Sequence, residues 1–188
     1  IPPGIERKEI LAKITTYIQS RIAQKEPVQL MYVCTHNSRR SHFGQILSAL
    51  AAEYFQIPAI RTFSAGTEVT AFHPNAIAAL RYIGMDIQTT EMSENPHYVI
   101  QLNATQSMAA FSKLIEDNVN PKENFAAIMT CTHAVQNCPF VVGADFRIGL
   151  SYDDPKAFDG SEQETEMYLA RVHQIARELF YVFSRLTN

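Results

Sequence analysis

The stretch MYVCTHNSRRS (31–41) sets Cys34 at the end of an apolar run, with Arg40 six residues on and Ser41 directly after it. In a parallel α/β sheet, the end of a strand that feeds a helix is where backbone N–H groups and the helix dipole gather anions. The same donors stabilise a thiolate. An arginine there presents a planar fork of donors that suits a tetrahedral oxyanion. Cys34 therefore reads as a nucleophile toward a phosphate-like group, in a loop made of Thr35, His36, Asn37, Ser38, Arg39, Arg40 and Ser41. The competing account is a buried, inert cysteine. A proton donor is offered by SYDDPKAFDG, where Asp153 and Asp154 precede Pro155. Adjacent carboxylates disfavour each other's charge, which suits an acid, although Asp-Pro is also a common turn. IMTCTHAVQNCPF holds the other two cysteines, Cys131 and Cys138. They are read as a thiol pair or as inert core residues; with His133 they do not make a standard zinc spacing.

Those residues need strands and helices to hold them. IERKEILAKITTYIQSRIA carries Ile10, Ile14, Tyr17, Ile18 and Ile22 on one helical face, and Pro27 ends that pattern. VQLMYV then reads as a buried parallel strand, and Phe43, Ile46, Leu47, Leu50, Ala51 and Tyr54 line a second helix. AIRTFSAGT is a strand; Pro74 opens a helix that Gly84 stops; HYVIQL is a strand, with MAAFSKLI as its hairpin partner or a short helix. FAAIMTC is another buried strand ending on a cysteine. Ser161 and Glu164 form a capping box for a last helix that buries Leu169, Val172, Ile175, Ala176, Leu179, Phe180 and Phe183. Strands alternating with helices give an α/β class with a mainly parallel sheet.

Composition narrows the setting. The 188 residues are 46% hydrophobic and 19% charged, with a formal net charge of −3. That balance gives no electrostatic case for nucleic acid or for a membrane surface. No apolar run is long enough to span a bilayer and no signal-peptide pattern opens the chain. Three cysteines, an odd number without disulfide spacing, favour a reducing cytoplasm. His42, His73, His97 and His173 are scattered and receive no role.

VCTHNSRRS resembles the phosphate-binding loop of the low-molecular-weight tyrosine phosphatase superfamily, whose pattern is close to C-x-G-N-x-x-R-S. Cys34, Asn37, Arg40 and Ser41 take the matching positions, and His36 stands where the family usually has glycine. If that position requires φ > 0, histidine is the less comfortable residue. The resemblance continues through SAGT (64–67), HPNAIAALRYIGMDI and the Asp-Pro, over roughly residues 28–183. It implies a three-layer fold, a four-stranded, mainly parallel sheet flanked by helices. The chain would be a single domain, 1–188, with an N-terminal helical extension at 1–26 and an insertion at 95–124. It also implies that Asp154 is the general acid. Arg39 would point away from the oxyanion, so that Arg39→Ala should be mild.

Within the superfamily, the segment holding Cys131 and Cys138 resembles that of the thioredoxin-coupled arsenate reductases, down to Asn137-Cys138-Pro139. The resemblance implies a relay without cofactor or metal. Cys34 attacks arsenate, Cys131 attacks the adduct, and Cys138 resolves the disulfide for thioredoxin to reduce. The acidic residues usual between the two cysteines are replaced here by THAVQN, and Lys156 and Ala157 stand where tyrosine phosphatases typically have tyrosines. A protein tyrosine phosphatase acting on phosphotyrosine is the alternative. A non-catalytic oxyanion-binding protein is the third reading.

Overall fold

The computed structural model describes residues 3–138 and 140–187; Pro139, the last residue of the Asn137-Cys138-Pro139 triplet, lies outside them. The elements run α1 Ile5–Ala23, β1 Val28–Cys34, α2 Arg40–Tyr54, β2 Ile60–Gly66, α3 Pro74–Tyr82, β3 Asp86–Gln88, β4 Tyr98–Gln101, β5 Ser107–Ala110, β6 Phe125–Met129, α4 Thr132–Asn137, β7 Ala144–Gly149 and α5 Glu164–Ser184, with a 3₁₀ turn at Pro155–Phe158 before α5.

Four strands form one parallel sheet in the order β2-β1-β6-β7. Successive side chains of a strand point to opposite faces. Accordingly, Leu30 and Tyr32 of β1 join Ala126 and Ile128 in a core with α1, α2, α3 and α5. Met31 and Val33 join Phe125, Ala127 and Met129 on the other face, under α4. Helices thus cover both faces, the three-layer α/β arrangement expected. β1 is buried almost throughout because it is central and covered on both sides. Gly44 lets α2 approach β1, since a Cβ there would lie 2.3 Å from the Tyr32 ring.

The added N-terminal helix buries Leu11, Ile14 and Ile18 completely. Each is worth roughly 1.5–3 kcal/mol relative to exposure, enough to hold α1 on the body. Ile10, Tyr17 and Ile22 pack at the margin of the same core. Gly84, at φ 96°, stops α3 in the left-handed conformation.

Three expectations change. The fourth strand of the main sheet is ADFRIG, which reads as no clear pattern in the sequence; HYVIQL instead pairs with β3 and β5 in a separate antiparallel sheet of order β3-β4-β5. MAAFSKLI splits, its first part being the hairpin partner β5. The last helix starts at Glu164 rather than after Ser161: the Glu164 side chain accepts from the Gly160 N–H at 2.6 Å, and Ser161 Oγ accepts from the Gln163 N–H at 3.3 Å. The two box residues are used, but in a turn that precedes the helix.

Candidate active site

Cys34 ends β1, and residues 35–39 carry the chain over to α2, whose first residue is Arg40. The loop is fixed from outside by its carbonyls. That of Thr35 accepts from the Glu68 N–H (2.9 Å), that of His36 from Thr70 and Ser112 hydroxyls (2.9 and 3.0 Å), and that of Ser38 from the His73 N–H (3.0 Å). With the carbonyls held outward, the N–H groups face the cradle; among the described residues, those of 36–39 donate to nothing in the protein. Asn37 is the residue at positive φ (44°), a conformation asparagine tolerates. His36 is not at positive φ, so its departure from glycine carries no backbone strain. Its side chain leans toward Glu68, 3.4 Å away. Gly66 of SAGT backs the loop so closely that a Cβ would come within 2.8 Å of Asn37 N and 2.7 Å of Thr35 O.

Cys34 is 3% exposed, and its Sγ lies 3.0 Å from Ser41 Oγ, which in turn accepts from Asn37 Nδ2 at 2.8 Å. Asn37 Oδ1 accepts from the Lys113 N–H at 2.9 Å, and the Lys113 carbonyl accepts from Gly66 N at 2.9 Å. Residues from the 95–124 segment therefore brace the loop from behind. The Lys113 ammonium is buried beside Ser64 Oγ (3.4 Å) and the Phe111 carbonyl (3.2 Å), and burial pulls its pKa down to about 8. His42, buried near it and bonded to Ser64, is held well below the usual histidine value by burial and by that ammonium. Because an unfolded Lys titrates near 10.4, the unfolded chain binds the extra proton between about pH 8 and that value, so stability rises with pH across this window. Lys113→Met should lack that rise, and its Tm relative to the parent should be most favourable below pH 8 and fall toward pH 10; parallel Tm–pH curves for the two proteins would refute the buried charge.

Arg40 turns toward the Asp-Pro loop. It donates to the Tyr152 carbonyl at 2.8 Å and to Asp154 Oδ2 at 2.5 Å, while its Nε is buried without a partner. Cys34, His36, Ser38, Arg39, Arg40 and Asp154 line one small recess, so the thiol, the guanidinium and the carboxylate singled out in the sequence share a mouth. Asp153 faces away to Arg171 at 3.4 Å. The two neighbouring carboxylates thus engage different arginines rather than each other. Asp154 also caps the 3₁₀ turn by accepting from the Lys156 N–H at 3.1 Å.

Arg39 does point away from the mouth, but it is not idle. Its side chain is 8% exposed and donates to the Tyr168 hydroxyl oxygen Oη (2.5 Å) and to Asp159 Oδ2 (2.8 Å), and the Tyr168 hydroxyl donates to Asp159 Oδ1 (2.6 Å). Burial pushes the Asp159 pKa up, but the Tyr168 hydrogen bond and the Arg39 charge outweigh it and hold the group below the usual carboxylate value. Arg39 thereby ties the phosphate loop to the end of the acid loop. The other end is tied through Tyr152. Its hydroxyl donates to the buried Glu178 of α5 at 2.8 Å, and Arg7 of α1 meets the same oxygen at 2.8 Å. Arg7 lies in no local motif, and the loop motif that holds Arg39 gives it no partner.

Cys131 and Cys138 are the caps of α4. Cys131 is 2% exposed; its Sγ accepts from the Ala134 N–H at 3.3 Å and lies 3.6 Å from Thr35 Oγ1 in the phosphate loop. Cys138 sits at the far end of the helix, half-buried. The two cannot converge on one zinc ion while α4 is intact. Beside the loop opens a recess of about 600 Å³ lined by Arg40, Cys131, His133, Asp154, Phe158 and Met167 among others.

No family model matches the sequence. An arsenate reductase from Bacillus subtilis is 26% identical over 143 residues, covering 76% of this chain and 85% of that protein. Among solved structures, an arsenate reductase in its phosphate-binding state aligns with a TM-score of 0.57 at 20% identity, over 85% of this chain and 99% of that one. A low-molecular-weight phosphotyrosine phosphatase from Vibrio cholerae O395 aligns with a TM-score of 0.56 at 13% identity, over 84% and 94%. The cysteine loop, the β2-β1-β6-β7 order and these structures give the chain the low-molecular-weight protein tyrosine phosphatase fold, and its sequence is similar to arsenate reductases.

Proposed function

We propose that the chain is an oxyanion-processing cysteine enzyme that reduces arsenate to arsenite through Cys34, Cys131 and Cys138. The observation that carries this reading is the second cysteine against the phosphate loop, Cys131 Sγ at 3.6 Å from Thr35 Oγ1. Hydrolysis of a phosphocysteine itself calls for no second thiol. In this reading the loop amides and Arg40 bind the oxyanion, with the unpartnered Nε as a further donor. Cys34 displaces an oxygen of arsenate, and Asp154 supplies the proton that oxygen needs to leave. Cys131 then attacks Cys34 Sγ; the S–S bond forms, the S–As bond breaks, and its electron pair stays on arsenic, which leaves as arsenite. Cys138 attacks Cys131 next and frees Cys34. Seven residues of helix rise about 10.5 Å, while a disulfide needs Cα atoms about 4.4–6.8 Å apart, so α4 must unwind for this last step. Unwinding carries the disulfide outward, where a thioredoxin-type dithiol reduces it by exchange. The working unit is the whole chain as one domain, with 1–26 and 95–124 as additions to the core that relatives share. A thiol relay of this kind suits a reducing cytoplasm, where cysteines stay unpaired; among the described residues no helix is long and apolar enough to cross a membrane.

The test is arsenate-dependent NADPH consumption with thioredoxin and thioredoxin reductase. Cys131→Ser and Cys138→Ser should each end multiple turnover. The Cys138→Ser protein should still complete one turnover and trap a Cys34–Cys131 disulfide, seen by non-reducing peptide mapping. Three free thiols in the parent after arsenate treatment would sink the proposal. They would favour the second reading, a phosphatase acting through a Cys34 phosphocysteine. Its supporting observation is the recess beside Asp154, whose Phe158 and Met167 offer apolar walls to an organic leaving group. Hydrolysis of p-nitrophenyl phosphate that survives both cysteine changes would support it.

A further inference from the structure

Attack by Cys131 requires its thiol to lose a proton, and the sulfur is too buried to hand it to bulk water. The Thr35 hydroxyl stands next to that sulfur, and on its other side lies His133 Nδ1 at 3.1 Å. A hydroxyl has one hydrogen and two lone pairs. With Cys131 as a thiol, Thr35 accepts from S–H and donates to Nδ1. With Cys131 as a thiolate, Thr35 donates to sulfur and accepts from Nδ1–H. Both protonation states are fully paired in one heavy-atom arrangement, so the proton crosses by two coupled transfers, from S–H to the hydroxyl oxygen and from the hydroxyl to Nδ1, with no heavy atom moving. His133 is itself exposed on the recess, beside Arg40, Asp153, Asp154 and Arg171, and can pass the proton to solvent.

We infer that His133 is the proton acceptor for Cys131, reached through the Thr35 hydroxyl. The inference rests on the reductase reading and adds a group to it. Cys34 and Cys131 give up two electrons to arsenic as their disulfide forms, and the Cys131 proton ends on His133 Nδ1.

The experiment follows formation of the Cys34–Cys131 disulfide in the Cys138→Ser protein after one equivalent of arsenate, by rapid quench and mass spectrometry. Adding His133→Ala should slow this step tenfold or more, and imidazole in the buffer should restore at least half of the lost rate. Thr35→Val should slow it similarly and show no rescue, because the carrier between base and sulfur is gone. Rescue by a free base is a response that loss of a merely structural side chain does not give. An unchanged rate in His133→Ala, or a slow rate that imidazole leaves slow, overturns the inference alone. Absence of the disulfide in the Cys138→Ser parent overturns the reductase reading, and the inference with it.

Discussion

Cys34→Ser should remove turnover of arsenate and of phosphate esters by at least about ten-thousand-fold, the scale reached when a catalytic nucleophile is deleted, while phosphate still binds. The sulfur itself holds little of the loop together. Its one side-chain partner is Ser41 Oγ, and a serine hydroxyl at residue 34 keeps that contact available. The loop's shape comes instead from carbonyls bonded to Glu68, Thr70, Ser112 and His73, and from Asn37 joined to Lys113, all of which the variant retains. Isothermal titration with inorganic phosphate should therefore give an affinity within about threefold of the parent, since removing a group that acts only in the transition state leaves ground-state binding alone. A variant that keeps a tenth of either activity would mean that another residue is the nucleophile.

The adjacent arginines should fail in different ways. Arg40→Lys exchanges a fork for a point charge, and Lys cannot span Tyr152 O, Asp154 and an oxyanion together. It should cost about 10²–10³-fold in kcat/KM, as loss of a preorganised transition-state donor does, with Tm nearly unchanged. Arg39→Ala is expected from the sequence to be mild, and the structure revises that. The substitution leaves Asp159 and Tyr168 without their buried donor and unties the phosphate loop from the acid loop. Breaking a fully buried ion pair costs about 3–5 kcal/mol; discounted for the partly exposed Asp159, about 2 kcal/mol remains, a fall of roughly 4–8 °C in Tm. Calorimetry of both variants decides the matter. A stable Arg39→Ala protein with full activity would show that the tie positions nothing.

The part of the site that could be read in the sequence is the part that is local. Cys34, Asn37, Arg40 and Ser41 lie within eight residues, so loop geometry turns spacing into placement. Gly84 and Pro74 likewise act on their own helix. What escaped is set by distant partners. β7 is an edge strand that pairs with one neighbour and is only partly buried, so ADFRIG shows neither a continuous apolar run nor strict alternation. HYVIQL is recognisably a strand, but nothing in it states which sheet it joins. Lys113 and Arg7 look like ordinary surface cations, and Arg39 like a loop residue without a partner, until Asn37, Glu178 and Asp159 arrive from 76, 171 and 120 residues away. His133 gains a role only because α4 brings its ring to Thr35.

The bond between Arg7 and Glu178 bears on where this enzyme begins. Likeness to the superfamily starts near residue 28, and a protein trimmed to that point would look whole by alignment. It would have lost Arg7, among the described residues the one cation paired with Glu178, a carboxylate 3% exposed that also holds the Tyr152 hydroxyl. Tyr152 in turn offers its carbonyl to Arg40, two residues ahead of Asp154. Alignment marks the shared frame; the chain of bonds that starts at Arg40 runs back to the first turns of α1.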